Sequence, residues 1–203
     1  VYERQGYAPR RFWEGWGGRF PDQKYQQGIH AGQEWLRDQL KALPGTNILE
    51  VGCGFGRNLD FLARHSRREG AERAFGVDIS ERMLRRGRSA SPGDSRLSCA
   101  DILDLPFRDG GFDTVFTHGV LMHMPPASLG KALAEISRVS ASAVLLVEET
   151  FWSGMSRDKG ADVNGYTFLH DYPRALEAAG LEVLEASESG GSVNLACFRC
   201  RAR

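Results

Sequence analysis

The stretch Asn47-Ile48-Leu49-Glu50-Val51-Gly52-Cys53-Gly54-Phe55-Gly56-Arg57-Asn58-Leu59 sets an acid ahead of three alternate glycines. Without Cβ atoms, Gly52, Gly54 and Gly56 let a ligand lie directly against the main chain. About twenty residues further on, Asp78 closes a second apolar run, Ala74 to Ser80, where a carboxylate can accept bonds from both hydroxyls of a ribose. The pair implies a ligand that carries a nucleoside with a free ribose. A dinucleotide fingerprint needs a small residue where Arg57 stands, and no G-x-x-x-x-G-K-[ST] phosphate loop is present. The plain alternatives are a tight strand-to-helix turn for the glycines and a helix N-cap for Asp78, a task Ser80-Glu81 could equally serve.

A second group of reactive side chains follows the later apolar runs. His118 and His123 lie in Thr117-His118-Gly119-Val120-Leu121-Met122-His123-Met124, Glu148 and Glu149 end the run from Ala143, and Tyr166 and His170 come later. An imidazole titrates near neutrality, which makes His123 the candidate general base. An ordinary carboxylate is a poor base at pH 7, so Glu149 is the candidate for orienting a substrate. His118 would form a wall of the same pocket. The structural alternative for His123 is a histidine bonded to backbone. Cys197-Phe198-Arg199-Cys200 looks like half a zinc site, but in a strand these residues point to opposite faces, and no second pair completes a tetrahedron. No metal is expected, and the four cysteines read as reduced thiols packed as small apolar groups.

The elements that must position these residues alternate between strand and helix patterns. Ile48–Val51 reads as a buried strand and Leu59 to about His65 as a helix; 74–80 and 81–89 repeat the unit, and 96–100 makes a third strand. A fourth strand covers 114–117. Residues 127–139 form a helix with Leu129, Leu133, Ile136 and Val139 on one face, and the unbroken run 143–147 is a central strand buried on both sides. Asp171 caps a helix with Pro173 in its first turn, ending at Gly180. Strands 181–186 and 193–200 are joined through Ser189-Gly190-Gly191-Ser192 as a hairpin. Between them, 151–168 is the longest irregular segment, of the kind that is functional when it lies beside a site. Ahead of the glycines, 29–43 reads as a helix with Ala31, Trp35, Leu36, Leu40 and Leu43 on one face, stopped by Pro44-Gly45. Residues 1–28 hold many aromatics, with neither strand alternation nor a sustained helical stripe. They are either an edge cover or a lid over a pocket.

Beyond the third strand, Asp101-Ile102-Leu103-Asp104-Leu105-Pro106-Phe107 and then Asp109-Gly110-Gly111-Phe112-Asp113 lead into the fourth. With the glycine motif, this order resembles the small-molecule branch of the class I S-adenosylmethionine-dependent methyltransferases, over residues 47 to about 200. The resemblance implies an α/β fold: a Rossmann-like, doubly wound, mostly parallel seven-stranded sheet with an antiparallel last strand and an N-terminal aromatic and helical extension. It implies S-adenosylmethionine as cofactor. Asp101 and Ile102 would hold the adenine edge through side chain and backbone N–H, and Asp78 with Ile79 the ribose. Glu50, Gly52, Cys53, Gly54, Gly56 and Asn58 of the first motif, with Thr117, would complete the cofactor site. Trp16 and Tyr25 would close over the sulfonium, whose charge suits aromatic faces. A narrower resemblance, to methylases associated with pseudaminic acid biosynthesis, rests on Phe12-Trp13-x-Gly15, on Phe116 to Met124 and on Val147-Glu148-Glu149. Where that family follows its fifth strand with an acid and paired tyrosines, this chain has Glu149-Thr150-Phe151. Only a small-molecule methyltransferase is carried over from it.

Length and charge agree with that expectation. The 203 residues suit one domain, with 1–43 as lid segment and helix and 44–203 as core. Lys and Arg number 26 against 26 Asp and Glu, so no global charge draws the chain to nucleic acid or an acidic membrane. The Arg-rich region from Arg57 to Arg96 is interrupted by Glu69, Glu72, Asp78 and Glu81 and reads as a solvated helical face. No apolar run reaches the ~18–20 residues that span a bilayer, and no charged-then-apolar leader is visible. The expected location is cytoplasmic. The expected activity is methyl transfer to a small-molecule acceptor, a metabolite or natural product, without nucleic-acid or membrane partners. The competing classes are a nucleic-acid or protein methyltransferase, a non-catalytic cofactor-binding module and an NAD-linked oxidoreductase. Amino-group methylators of DNA usually show an Asn/Asp/Ser-Pro-Pro-aromatic motif after the fourth strand, where Thr117-His118-Gly119 stands, and Arg57 opposes an NAD-linked oxidoreductase.

Overall fold

Side chains alternate across a strand, so a run that is apolar at every position must be covered on both faces. In the computed structural model, which describes residues 8–23, 26, 28–30, 32–65, 74–90, 96–149, 166–189 and 195–202, this is what the apolar runs do. Strands β1 (Ile48–Val51), β2 (Phe75–Asp78), β3 (Leu97–Cys99), β4 (Phe112–His118), β5 (Ser140–Glu149), β6 (Leu181–Ser189) and β7 (Leu195–Ala202) form one sheet in the order β3-β2-β1-β4-β5-β7-β6. Every pairing from β3 through β5 is parallel. Only β7 runs against its neighbours, pairing antiparallel with both β5 and β6. The expected seven-stranded sheet with an antiparallel last strand is therefore present.

Helices α2 (Gln33–Ala42), α3 (Arg57–His65) and α4 (Glu81–Ala90) cover one face, and α5 (Pro126–Val139) and α6 (Tyr172–Ala178) the other. Ile48, Phe116 and Leu145 pack towards α2 and α3. Their neighbours Leu49, Val115, Val144 and Leu146 pack with Leu129, Leu133 and Ile136 of α5. Helix α5 follows the sequence pattern closely, with Leu129, Ala132, Leu133, Ile136 and Val139 all buried. Each of the larger ones, Leu129, Leu133, Ile136 and Val139, stabilises the fold by about 1.5–3 kcal/mol relative to exposure. Asp171 caps α6 by accepting the Arg174 N–H, and Gly180 ends that turn at φ 74°. Cys197 and Cys200 fall on opposite faces of β7, one against Val147 and the other in the α5 layer.

The N-terminal region departs from expectation. Pro9–Trp16 forms an eight-residue helix, α1, with Pro9 in its first turn. Two turns are too short for a repeating stripe, so periodicity could not announce it. Helix α2 starts at Gln33 instead of Ile29, because Gly32 sits at φ 84° and Ile29 lies 61% exposed outside the helix. The expected roles of Tyr25, of segment 151–165 and of turn residues Gly190 to Ser192 lie outside the described residues. Among the described residues no helix is long and apolar enough to cross a membrane.

The chain winds outward from β1 to β3, then returns to place β4 on the other side of β1. That reversal opens a crevice at the carboxyl ends of β1 and β4, where ligands of doubly wound sheets bind.

Candidate functional site

The glycine turn after β1 is shaped by two close approaches. Gly52 has φ 77°, and a Cβ there would come within 2.4 Å of Val120, so the turn can pass beneath the loop after β4 only without a side chain. Gly87 lets α4 press on the same turn, since a Cβ on it would meet the Phe55 carbonyl at 2.4 Å. Behind this turn, Asp78 at the end of β2 accepts the Gly54 N–H at 2.8 Å through Oδ2 and the Ser80 N–H at 2.8 Å through Oδ1. Burial pushes its carboxyl up, and these N–H donors work against that shift.

A chain of buried polar groups ties the turn to the N-terminal region. Asn58 donates to Glu50 Oε1 at 2.6 Å and accepts from the Gln33 amide at 2.7 Å. The His30 N–H donates to Gln33 Oε1 at 2.7 Å. Arg57 donates to Gln26 Oε1 and to His30 Nε2, the latter at 2.9 Å. Accepting from a guanidinium requires a neutral His30; burial and the Arg57 charge together lower its pKa to about 4. Glu50 is pushed up to about 7 by burial, opposed by its Asn58 bond and by Arg57. Its Oε2 is buried and has no hydrogen-bond partner among the described residues.

The loop after β4 is stapled from β5. Glu148, fully buried, accepts the Thr117 hydroxyl at 2.7 Å and the N–H groups of Val120 at 3.0 Å and Met122 at 3.2 Å. His170 braces the same loop by bridging the Leu121 and Met124 carbonyls at 3.1 and 3.0 Å. This loop presents His123, whose Nδ1 lies 2.8 Å from the Tyr166 carbonyl. A carbonyl only accepts, so Nδ1 carries the proton and Nε2 the lone pair. Burial lowers the His123 pKa to about 4, and the bond to Tyr166 partly offsets it. The ring lies in an aromatic wall, with Trp13 at 4.8 Å and Tyr166 at 5.6 Å between centroids, and Phe12 stands 4.7 Å from Tyr166.

These parts enclose one cavity of about 740 Å³. Its lining joins Glu50, Gly52, Cys53, Gly54, Asn58, Asp78, Ile79, Asp101 and Ile102 to Trp16, His118 and His123, so most of the residues expected from sequence meet there. Two do not. Thr117 is buried and spends its hydroxyl on Glu148, because its side chain points to the core while that of His118 points to the cavity. Gly56 serves the turn at φ 84° and does not line the cavity. Glu149 ends β5, its backbone paired with Leu195, and its side chain, like Tyr25, lies outside the described part of the chain. Sequence reasoning missed Gln26, His30, Gln33 and the aromatic partner role of Phe12. The one local signal was Gln33, a polar residue where the helical pattern wants an apolar one.

Residues 48–142 match the family model described as "Methyltransferase domain". The chain is 30% identical over 136 residues to 24-methylenesterol C-methyltransferase 2 of Oryza sativa subsp. japonica, covering 62% of this chain and 36% of that protein. It is 30% identical over 171 residues to methyltransferase GfsG of Streptomyces halstedii, covering 76% of this chain and 59% of that one. The chain thus spans between about a third and three fifths of these curated relatives. Among solved structures, magnesium protoporphyrin IX methyltransferase from Synechocystis PCC 6803 with bound SAH superposes with a TM-score of 0.69 at 15% identity, covering 96% of this chain and 98% of that one.

Proposed function

We propose that the chain carries a class I S-adenosylmethionine-dependent methyltransferase domain and that it methylates a small-molecule acceptor held beside the cofactor in the cavity below α1. The observation that carries this reading is the continuity of the cavity. It runs from the glycine turn and Asp78 to a wall of aromatic rings around His123, and its size is that of small-molecule sites.

The donor set fits the cofactor. The buried Glu50 Oε2 lacks a partner that an ammonium would provide, Gly54 leaves its main chain bare, and Asp78 retains lone pairs for ribose hydroxyls. Asp101 and Ile102 line the cavity where an adenine edge would rest. Bound S-adenosylmethionine supplies an activated methyl group on a sulfonium. The protein's own work is alignment, which alone can contribute several kcal/mol, and exclusion of water by the aromatic wall. Burial leaves His123 neutral at pH 7 but, with a pKa of about 4, no stronger a base than an ordinary carboxylate, so its part is to orient the acceptor against the cofactor, and not to store its proton. The similarity to a 24-methylenesterol C-methyltransferase agrees with a small acceptor. So does the zero net charge, which gives a nucleic acid little to grip.

Calorimetry tests the cofactor half of this reading. Adenosylhomocysteine binds, NAD does not, and Asp78→Ala costs about 1–3 kcal/mol of binding, the usual penalty for leaving buried polar groups unpaired. Tight NAD binding with none for adenosylhomocysteine ends the proposal. Methyl transfer to tRNA or DNA with a steep salt dependence would overturn the small-molecule half.

A further inference from the structure

Helix α1 reaches both halves of the cavity. Phe12 and Trp13 belong to the aromatic wall beside His123 and Tyr166. The next residue, Glu14, reaches the start of α4, where its Oε2 accepts the Ser80 hydroxyl at 2.9 Å and the Arg82 N–H at 3.2 Å. A carboxylate placed against the first turn of a helix is favoured by the unsatisfied N–H groups there. Ser80 is fully buried, its Oγ accepts the Met83 N–H at 3.3 Å, and its own N–H is bound to Asp78 at 2.8 Å. Glu14, Ser80, Asp78 and Gly54 therefore form one hydrogen-bonded line from the roof helix to the glycine turn. The fit at this contact is close. A Cβ on Gly17, at the end of α1, would come within 2.7 Å of Ser80 Oγ and 2.8 Å of Arg82 Cβ.

We propose that Glu14 is a positioning residue that latches α1 onto α4, so that closing the roof over the nucleoside and completing the acceptor's aromatic wall are a single event. Phe12 and Trp13 lie within about one turn of Gly17 on the same short helix, so docking at Gly17 also sets them in place. A ligand below Asp78 favours the docked helix because the docked form adds contacts to that ligand, and only such differential contact can shift the equilibrium. By linkage, cofactor and acceptor then strengthen each other's binding. This inference rests on the cofactor reading given above, and its test separates the two.

The experiment uses the full chain, adenosylhomocysteine, stopped-flow dissociation and tryptophan emission, so no acceptor is needed. Glu14→Ala raises the adenosylhomocysteine dissociation rate by about tenfold or more, the scale of a lost charge-assisted pair of bonds. It also removes the emission change that docking of Trp13 and Trp16 produces on binding. Glu14→Gln keeps an acceptor for the Ser80 hydroxyl and recovers part of both signals. Gly17→Val, whose side chain would press on Ser80 and Arg82 and so block docking while the Glu14 carboxylate stays in the chain, gives the same two losses as Glu14→Ala. Circular dichroism confirms that each variant is folded. Dissociation within twofold of the parent in Glu14→Ala overturns the latch. So does a fast-release phenotype confined to Glu14→Ala and absent from Gly17→Val, which would mean that Glu14 acts on Asp78 without α1 docking. If the parent itself fails to bind adenosylhomocysteine, the cofactor reading fails instead.

Discussion

His123 and Glu148 both sit where β4 and β5 deliver reactive side chains, and burial sends them to different tasks. Glu148 turns inward, spends its oxygens on Thr117, Val120 and Met122, and is pushed up to about 7 by burial. His123 lines the cavity, with Nδ1 fixed by Tyr166. His123→Ala should lower turnover by on the order of 10²-fold through a misplaced acceptor, with adenosylhomocysteine affinity intact, and near-normal turnover would leave the imidazole a purely structural role. Its depressed pKa also has a signature in stability. The unfolded chain takes up the proton near 6.5 and the folded one near 4. The stabilisation is therefore complete above pH 6.5 and is lost as pH falls towards 4. Between pH 7 and 5 the parent should lose on the order of 2 kcal/mol more than His123→Gln in urea titrations. Equal losses would show that the imidazole is not held neutral.

At the scale of elements, α5 and α1 are opposites. Helix α5 is set by its own sequence: five apolar residues recur at helical spacing over fourteen residues, and all five are buried. Ile136, in its last turn, is fully buried, so Ile136→Ala should cost about 2–5 kcal/mol by denaturant titration. Lys131→Ala, on the exposed side, should stay within about 0.5 kcal/mol. The same helix anchors the loop that carries Asp101 and Ile102. Glu135 accepts the Leu105 N–H at 2.8 Å, and Arg138 donates to the Leu105 and Phe107 carbonyls at 2.9 and 2.7 Å. Helix α1 is too short to hold itself together and owes its place to Glu14, Gly17 and the rings it packs.

For the whole molecule, the important property is that one cavity spans the reversal in strand order, so ligand binding couples to the stability of the entire sheet. Adenosylhomocysteine at 100 times its Kd should add about 2.7 kcal/mol to the unfolding free energy. The thermal midpoint should rise with that ligand and stay unmoved by NAD at the same concentration. An equal rise with both would show that the site reads only the shared adenosine.

The seven strands, the glycine turn and the place of Asp78 were legible because their signals are local. Short apolar runs end in glycines, an acid stands about twenty residues further on, and parallel strands joined by helices admit few arrangements. Contacts between distant parts of the chain were not legible. Gln33 meets Asn58 across 25 residues, Arg57 meets His30 across 27, and Glu14 meets Ser80 across 66, and no local pattern records such meetings. Nor could sequence alone choose between neighbours at a strand end. Adjacent residues face opposite sides, so one step of register decides which faces the cavity. It gave His118 to the cavity and Thr117 to the core, and it set Glu148 beneath the loop after β4, a choice made by the packing of β4 against β5.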